Sequence, residues 1–220
     1  MDPADRSTII KTLRRVAYSA VVSDCCDQVG LRHQTMSSGI EPVSGGTEVL
    51  VGFARPARSV AVEGVPDEPY GAEIDFIDSL GPDDVVVGRV EAPGAFWGEL
   101  FSTAARARGA AGVVIDGLVR DQARIRQLGF PVFARGARPT DSLGRISIVE
   151  HDVSMEVASI RVAPGDLVVA DIDGVTVVPV DAIEEVAVRT IEKATTENHA
   201  RELLEGGALL RDAWDRFRVL

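Results

Sequence analysis

The apolar positions of this chain change period several times, and each change predicts an element. Over residues 7–30 they recur at helical spacing, with Ile9, Ile10, Leu13, Val16 and Ala17 on one face. That stretch predicts a helix in two pieces, with Ser19 or Ser23 placed to cap the second piece, which ends before Gly30. Residues 31–46 hold Gly39, Pro42, Gly45 and Gly46 and read as loop. Strand patterns follow at 48–54 and 59–62, then an exposed connector at 64–69 and a short helix at 72–80. The run Asp-Val-Val-Val-Gly-Arg-Val at 84–90 predicts another strand. A loop is expected at 92–95, and a helix from 96 to 108 closed by Gly109. A buried strand at 112–115 stops at Asp116, Gly117 turns the chain, and a helix runs from Arg120 to Leu128. Strand patterns recur at 131–134, 145–149, 154–162, 166–171 and 175–178, the last two joined by a β-turn at Asp171-Ile172-Asp173-Gly174. A long charged helix at 181–204 leads through Gly206-Gly207 into a short amphipathic tail.

This order implies α/β layering, with the sheet inside and helices outside and at both ends. No internal repeat and no linker interrupts it, so residues 1–220 read as one compact domain. Its core spans roughly 15–210, and a C-terminal helical arm covers roughly 181–220.

Composition narrows the function. Hydrophobic residues make up 45% of the chain and aromatics only 5%, so the core must be aliphatic. The net charge of −11 argues against a nucleic-acid partner, which needs a basic footprint. No run reaches the roughly 18 apolar residues of a membrane span, and the polar start of the chain lacks a signal-peptide core. A cytoplasmic protein is therefore expected. The adjacent Cys25 and Cys26 cannot form a disulfide framework and read as buried packing residues. His33, His151 and His199 have no metal-ligand spacing. Asp24 and Asp27 suit capping roles. No Gly-x-Gly-x-x-Gly follows a strand, so a dinucleotide or methyl-donor site is unsupported, and no Gly-x-Ser-x-Gly elbow occurs.

The candidate chemistry lies between residues 94 and 121. Gly98, Glu99, Leu100 and Phe101 fall in the first turn of the helix expected there. Its free amides and positive dipole end suit an anion such as a substrate carboxylate. Gly94 and Gly98 keep that approach open. Downstream, Arg120 and Asp121 follow a strand end, where open α/β sheets commonly bind ligands. An Asp can hold Mg²⁺ or Mn²⁺, and an Arg can grip a carboxylate or steady a developing oxyanion. The same residues also suit plainer duties: Glu99 complementing the helix dipole, and Arg120 with Asp121 in a surface pair.

Twenty residues separate Glu99 from Arg120-Asp121. With Trp97-Gly98-Glu99-Leu100 this spacing resembles the RraA-like family, which contains the class II 4-hydroxy-4-methyl-2-oxoglutarate (4-carboxy-4-hydroxy-2-oxoadipate) aldolases. Val22-Ser23-Asp24 with Asp27, the segment 129–136 and the segment 164–175 agree with it. The resemblance implies a compact α/β/β/α domain that assembles as a homotrimer or a hexamer of two trimers, with sites at subunit interfaces. It implies a divalent-metal-dependent lyase that splits a 4-hydroxy-2-oxo acid to pyruvate through an enolate held by Mg²⁺ or Mn²⁺, with oxaloacetate decarboxylase activity.

In that reading Asp121 is the direct metal ligand and Glu99 acts through a metal-bound water, with Asp116 tuning it. Arg120 binds substrate and stabilises the enolate. The amides of Gly98, Glu99, Leu100 and Phe101 hold the pyruvyl carboxylate. Glu197 is a candidate contribution from a neighbouring subunit, although a surface pair with Arg201 also fits its spacing. Phe96 and Trp97 are expected to narrow the pocket mouth. Glu99 stands where the family often has Asp, and Arg124 where it often has an acidic residue. Lys11 and Lys193 are the two lysines, both in polar helix settings, which disfavours a Schiff-base aldolase. The alternatives are an RraA-like regulator that binds a ribonuclease without catalysis, and a lyase or hydrolase for another oxo acid at the same metal site.

Overall fold

The computed structural model describes residues 3–43 and 49–219, with side chains described from residue 6. The expected loop residues Gly45 and Gly46 and the start of the strand at Glu48 lie outside the described residues. The chain runs α1 (Pro3–Val16), α2 (Ser19–Gln28), β1 (Glu41–Pro42), β2 (Leu50–Ala61), α3 (Gly71–Asp78), β3 (Asp84–Glu91), β4 (Ala95–Trp97), α4 (Glu99–Ala107), β5 (Gly112–Val119), α5 (Gln122–Leu128) and β6 (Val132–Ala137). Then come β7 (Ile146–His151), β8 (Met155–Val157), β9 (Ile160–Val162), β10 (Leu167–Asp171), β11 (Gly174–Val178), α6 (Ile183–Glu205) and α7 (Leu210–Phe217).

Among the described residues, nine strands form one sheet in the order β1-β6-β5-β3-β2-β10-β11, with β4 added beside β5 and β7 beside β2. The sheet curls into a nearly closed barrel flanked by helices.

Alternation along the strands separates three cores, because successive strand side chains point to opposite faces. Val51, Phe53, Leu167, Val169 and Val178 pack against Ile10, Leu13, Val21 and Val22 of α1 and α2 and Ile183 and Val186 of α6. Their neighbours Leu50, Ala54, Val168, Ala170, Val175 and Val177 face inward, where they meet Val85, Val87, Val114 and Phe133. On the far side Val86, Val113, Ile115, Val132 and Ala134 pack against Phe76 and Ile77 of α3, Ala105 of α4 and Ile125 of α5. This is the expected α/β/β/α layering.

The two strand patterns at 48–54 and 59–62 belong to one strand. β2 pairs with β10 through Phe53 and with β7 from Ala57, on the same edge. Pro56 sits at the handover. The neighbouring Ala54 amide donates towards the β10 side and the Pro56 carbonyl accepts from Asp152 on the β7 side. A residue without an N–H fits where one partner strand has ended and the next has not begun.

Other expectations are corrected in the same way. β5 does not stop at Asp116: it continues to Val119 through a bulge, and Gly117 is a strand residue. A Cβ on Gly117 would lie 2.7 Å from Val90 Cβ, so the glycine answers a close approach rather than a turn. The pattern at 154–162 folds as the β8–β9 hairpin, with Ala158 and Ser159 at positive φ in its turn. The Ala158 amide is held by the Asp116 carboxylate at 3.0 Å.

The cap of α2 comes from neither Ser19 nor Ser23 but from Asp171 at the end of β10. Its carboxylate accepts the Ser19 amide and hydroxyl, both at 2.6 Å. Asp24 and Asp27 are not caps; they pair with Lys193 and Arg32. Cys25 and Cys26 are free and buried as expected, and burial pushes the Cys26 thiol up to about 12. The turn at Asp171–Gly174 is also as expected, tied by the Asp173 amide to Asp171 at 3.0 Å. No helix is long and apolar enough to cross a membrane among the described residues.

Removing the borrowed cap leaves a buried amide unpaired. Asp171→Ala is expected to lower the unfolding free energy by about 1–3 kcal/mol in urea titrations, with the secondary structure of the folded state unchanged.

Candidate active site

The chain enters the site by a route the sequence periodicity hides. Residues 95–97 are not helical: they form β4, parallel to β5, with Trp97 in register with Val119. Burial explains the difference. Phe96 and Trp97 are 2% and 1% exposed, and their apolar run feeds the core rather than a helix face. Trp97 therefore does not narrow the mouth of the pocket. Its indole N–H donates to Ser102 Oγ at 2.8 Å, and Ser102 Oγ donates to the Gly98 carbonyl at 3.0 Å, fixing the start of α4.

Because the two strands are in register, the residues just past their ends emerge side by side. Gly98 is the N-cap of α4, so Glu99, Leu100 and Phe101 make its first turn. Arg120 follows β5 and donates its amide to the Trp97 carbonyl at 2.8 Å. Asp121 is the N-cap of α5, not its first-turn residue, and sits in the left-handed region at φ 61°. An Asp tolerates that region better than most residues. Its Oδ2 accepts the Glu99 amide at 3.3 Å and lies 3.6 Å from Arg120 Nε. A Cβ on Gly98 would stand 3.0 Å from Asp121 Oδ2 and 3.3 Å from Arg120 Nε. The glycine is what lets the two strand ends close to this distance.

The resulting cleft, about 230 Å³, is lined by Gly98, Glu99, Leu100, Phe101, Arg120 and Asp121, all foreseen from sequence, together with Phe96. The amides of Leu100 and Phe101 are first-turn donors that an α-helix leaves free.

Two residues that sequence reasoning missed complete the wall. Asp141, in the loop before β7, takes Arg120 Nη1 on Oδ1 at 3.1 Å and the Tyr70 hydroxyl on Oδ2 at 2.6 Å. Tyr70 caps α3 in the left-handed region, at φ 61°. Burial pushes the Asp141 carboxyl up. The Tyr70 hydrogen bond, the Arg120 charge and the backbone amides of Ser142 and Leu143 outweigh that, and the net shift is downward. Burial, with the hydrogen bond to Asp141, pushes the Tyr70 phenol up. Neither residue belongs to a local motif. They reach the cleft from 50 positions before and 20 after Arg120-Asp121, across layers of the fold.

Two other candidates lie elsewhere. Asp116 is engaged by Arg135 Nε and by the Ala158 amide, and it does not line the cleft. Glu197 is on the opposite helical layer. It accepts the Tyr18 hydroxyl and pairs with Lys193 at 3.0 Å, while Arg201 donates to Asn198. The expected Glu197–Arg201 pair does not form.

No group of three or more His, Cys, Asp or Glu side chains is arranged to hold a metal among the described residues. The cleft does present the Asp121 carboxylate beside Glu99, with Asp121 Oδ1 free of partners among the described residues. One or two carboxylates suit Mg²⁺ or Mn²⁺, hard cations that retain several waters, rather than a caged zinc or calcium.

Comparison with known proteins agrees with this site-bearing fold. The profile of the RraA-like family, described as Aldolase/RraA, matches residues 19–177, and the chain belongs to that family. It is 33% identical over 192 residues to a protein of Halalkalibacterium halodurans with the provisional name 4-hydroxy-4-methyl-2-oxoglutarate aldolase, covering 86% of this chain and 84% of that one. It is 27% identical over 203 residues to Protein DlpA of Legionella pneumophila, covering 89% of this chain but only 31% of DlpA. Among solved structures it resembles RraAS2 of Streptomyces coelicolor, an unusual member of the RNase ES inhibitor RraA family. There the TM-score is 0.75 at 27% identity, over 88% of this chain and 96% of that one.

Asp141 holds its proton less tightly in the folded chain than in the unfolded one. Its contribution to stability is present above the ordinary carboxylate value of about 4 and is lost as the pH falls through the lower folded value. Wild type is expected to exceed Asp141→Asn in urea midpoint near pH 6, with the gap closing towards about pH 3. A gap of equal size at both pH values would contradict an ionic origin.

Proposed function

We propose that this protein is a divalent-metal-dependent lyase that cleaves a 4-hydroxy-2-oxo acid to pyruvate. The observation that carries the reading is the junction of Gly98-Glu99 with Arg120-Asp121. It brings first-turn helix amides, a guanidinium and a carboxylate, one oxygen of which has no partner among the described residues, onto one cleft. The provisional aldolase name of the Halalkalibacterium relative supports it.

Asp121 would hold the cation, with Glu99 reaching it through water. The cation supplies Lewis acidity at the 2-oxo group. The first-turn amides of Leu100 and Phe101 orient the substrate carboxylate at the positive end of α4. Arg120, held by Asp141, presents its remaining donors to the oxygen on which charge accumulates when the C3–C4 bond breaks, and these donors stabilise the enolate. Glu99 accepts the proton that leaves the C4 hydroxyl and returns one to C3, either directly or through water. Its Oε1 accepts the Thr103 hydroxyl at 2.8 Å, one turn further along α4. Loss of CO₂ from oxaloacetate would leave the same enolate and use the same residues. A neighbouring subunit in a trimer or hexamer would complete the site.

The test is pyruvate release, coupled to lactate dehydrogenase, from oxaloacetate and a panel of 4-hydroxy-2-oxo acids, with metal-only decarboxylation subtracted. Asp121→Ala is expected to lose at least about 100-fold in kcat/KM, and Arg120→Lys a comparable factor mainly in kcat. Release that survives chelation and Asp121→Ala would sink the reading. Absence of release from every substrate would leave a protein-binding role, of the kind the name of the RraAS2 structure describes for its family.

A further inference from the structure

The wall of the cleft runs from contact to contact. In the first turn of α4 the Glu99 amide meets Asp121 Oδ2 at 3.3 Å, and that oxygen lies 3.6 Å from Arg120 Nε. Arg120 Nη1 meets Asp141 Oδ1 at 3.1 Å, and the same oxygen accepts the Ser142 amide at 2.8 Å. Ser142 is therefore the far end of a wall that begins at α4, one shared oxygen away from the guanidinium. Its carbonyl accepts the amides of Arg145 and Ile146 at 2.8 and 2.9 Å, so its backbone is tied on both sides. Its side chain is not. Ser142 is 3% exposed and lines the cleft, yet its hydroxyl has no hydrogen-bond partner among the described residues. A buried hydroxyl left alone is destabilising, and most buried polar side chains find a partner. The Ser59 hydroxyl is also alone, but it is sealed inside the fold. That of Ser142 keeps a little open surface, and the space it borders is the cleft. This burial is complete within one chain, so a neighbouring subunit reaches the hydroxyl only by way of the cleft.

We infer that Ser142 is a substrate-binding residue whose hydroxyl takes the oxygen on C4 of the 2-oxo acid. The inference deepens the lyase reading and rests on it for which end of the ligand lies where. With the C1 carboxylate on the Leu100 and Phe101 amides and the 2-oxo oxygen at Arg120, the ligand continues along the same wall. C4 then comes to the Asp141–Ser142 end. Asp141 already accepts from Arg120, Tyr70 and the Ser142 amide, and an ionised carboxylate has no hydrogen to give. The Ser142 hydroxyl has one, and can also accept. It donates to the C4 hydroxyl oxygen of a 4-hydroxy-2-oxo acid, whose own proton stays free to leave. In oxaloacetate the C4 carboxylate brings an oxygen to the same donor, so the subsite accommodates dicarboxylic substrates. Ser142 itself transfers no proton. The C3–C4 electron pair passes to C3, and the C4 oxygen remains as the carbonyl oxygen of the second product. A hydrogen bond made to that oxygen before and after cleavage contributes to binding rather than to lowering the barrier.

Two ligands separate this subsite from the rest of the cleft. 2,4-Dioxopentanoate carries a carbonyl on C4 in place of the carbinol, so retro-aldol cleavage is not open to it, and pyruvate ends at C3. With Mg²⁺ present, calorimetry on the full chain is expected to show 2,4-dioxopentanoate binding about three- to tenfold more weakly to Ser142→Ala than to wild type, the worth of one neutral hydrogen bond. Chelation of Mg²⁺ by the free ligand is the same for both proteins and cancels in that ratio. Pyruvate should bind both proteins alike. Ser142→Cys, close in size but a poor donor, should match Ser142→Ala. Without ligand, the urea midpoint of Ser142→Ala should not fall below that of wild type, because no hydrogen bond within the protein is lost. With 4-hydroxy-2-oxopentanoate the same loss should appear in KM, with kcat within about twofold. Equal weakening of both ligands, weakening of neither, or a lowered urea midpoint overturns the inference and leaves the lyase reading standing. The expected binding pattern without cleavage of the hydroxy acid overturns the lyase reading and leaves the subsite. Binding of neither ligand by wild type overturns both.

Discussion

The parallel pairing of two strand ends, Trp97 against Val119, is the constraint on which the candidate site depends. The pairing fixes where residues 98–99 and 120–121 leave the sheet, and the Arg120 amide bonded to the Trp97 carbonyl locks that spacing. Two further conditions let the ends meet. Gly98 has no Cβ to strike Asp121 and Arg120, and Asp121 accepts a left-handed backbone that swings its carboxylate back over the Glu99 amide. A spacing of twenty residues between Glu99 and Arg120 is the chain needed to run down α4 and return along β5.

The rest of the molecule makes those strand ends rigid. β2 and β5 each serve two partners on one edge, β2 pairing first with β10 and then with β7, and β5 with β3 and then with β4. Pro56 and the bulge in β5 mark the handovers, places where a regular ladder could not continue. Sharing a strand between layers bends the sheet into its nearly closed form and packs the inner core between its walls. Distant pieces also support one another, as Asp171 caps α2 from the end of β10.

Within the cleft, polar groups are arranged to hold Arg120 rather than to neutralise it. Asp141 is satisfied by Tyr70 and two amides as well as by the guanidinium, which keeps an aspartate ionised despite partial burial. An Arg clamped in this way is preorganised, and preorganised charge is what stabilises an oxyanion at low cost. Membership of the RraA-like family does not by itself choose between chemistry and protein binding, because relatives carry names of both kinds. The choice rests on the residues in the cleft.

Much of the fold was legible along the chain. The layered α/β class, the split N-terminal helix, the β10–β11 turn and the long C-terminal helix follow from local periodicity and turn chemistry, which act over a few residues. The foreseen cleft residues, Gly98 to Phe101 with Arg120 and Asp121, were legible because a crossover between adjacent parallel strands leaves a fixed sequence spacing. Residues 96–97 misread as helix because a fully buried strand has no alternation to reveal it. Gly117 misread as a turn because a glycine demanded by Val90 looks, in sequence, like one demanded by backbone direction. Asp116 and Glu197 carried plausible charge, but Arg135, Lys193 and Tyr18 took them up, partners that only the packing of layers brings near. Tyr70 and Asp141 had no local signal at all, since their role exists only where α3, the loop before β7 and the end of β5 meet. The sequence by itself determined most of the helices and strands and which six residues can share a strand-end cleft, because those follow from near-neighbour physics. The tertiary structure decided which charges remain free in that cleft, because pairing partners are set by packing across the sheet.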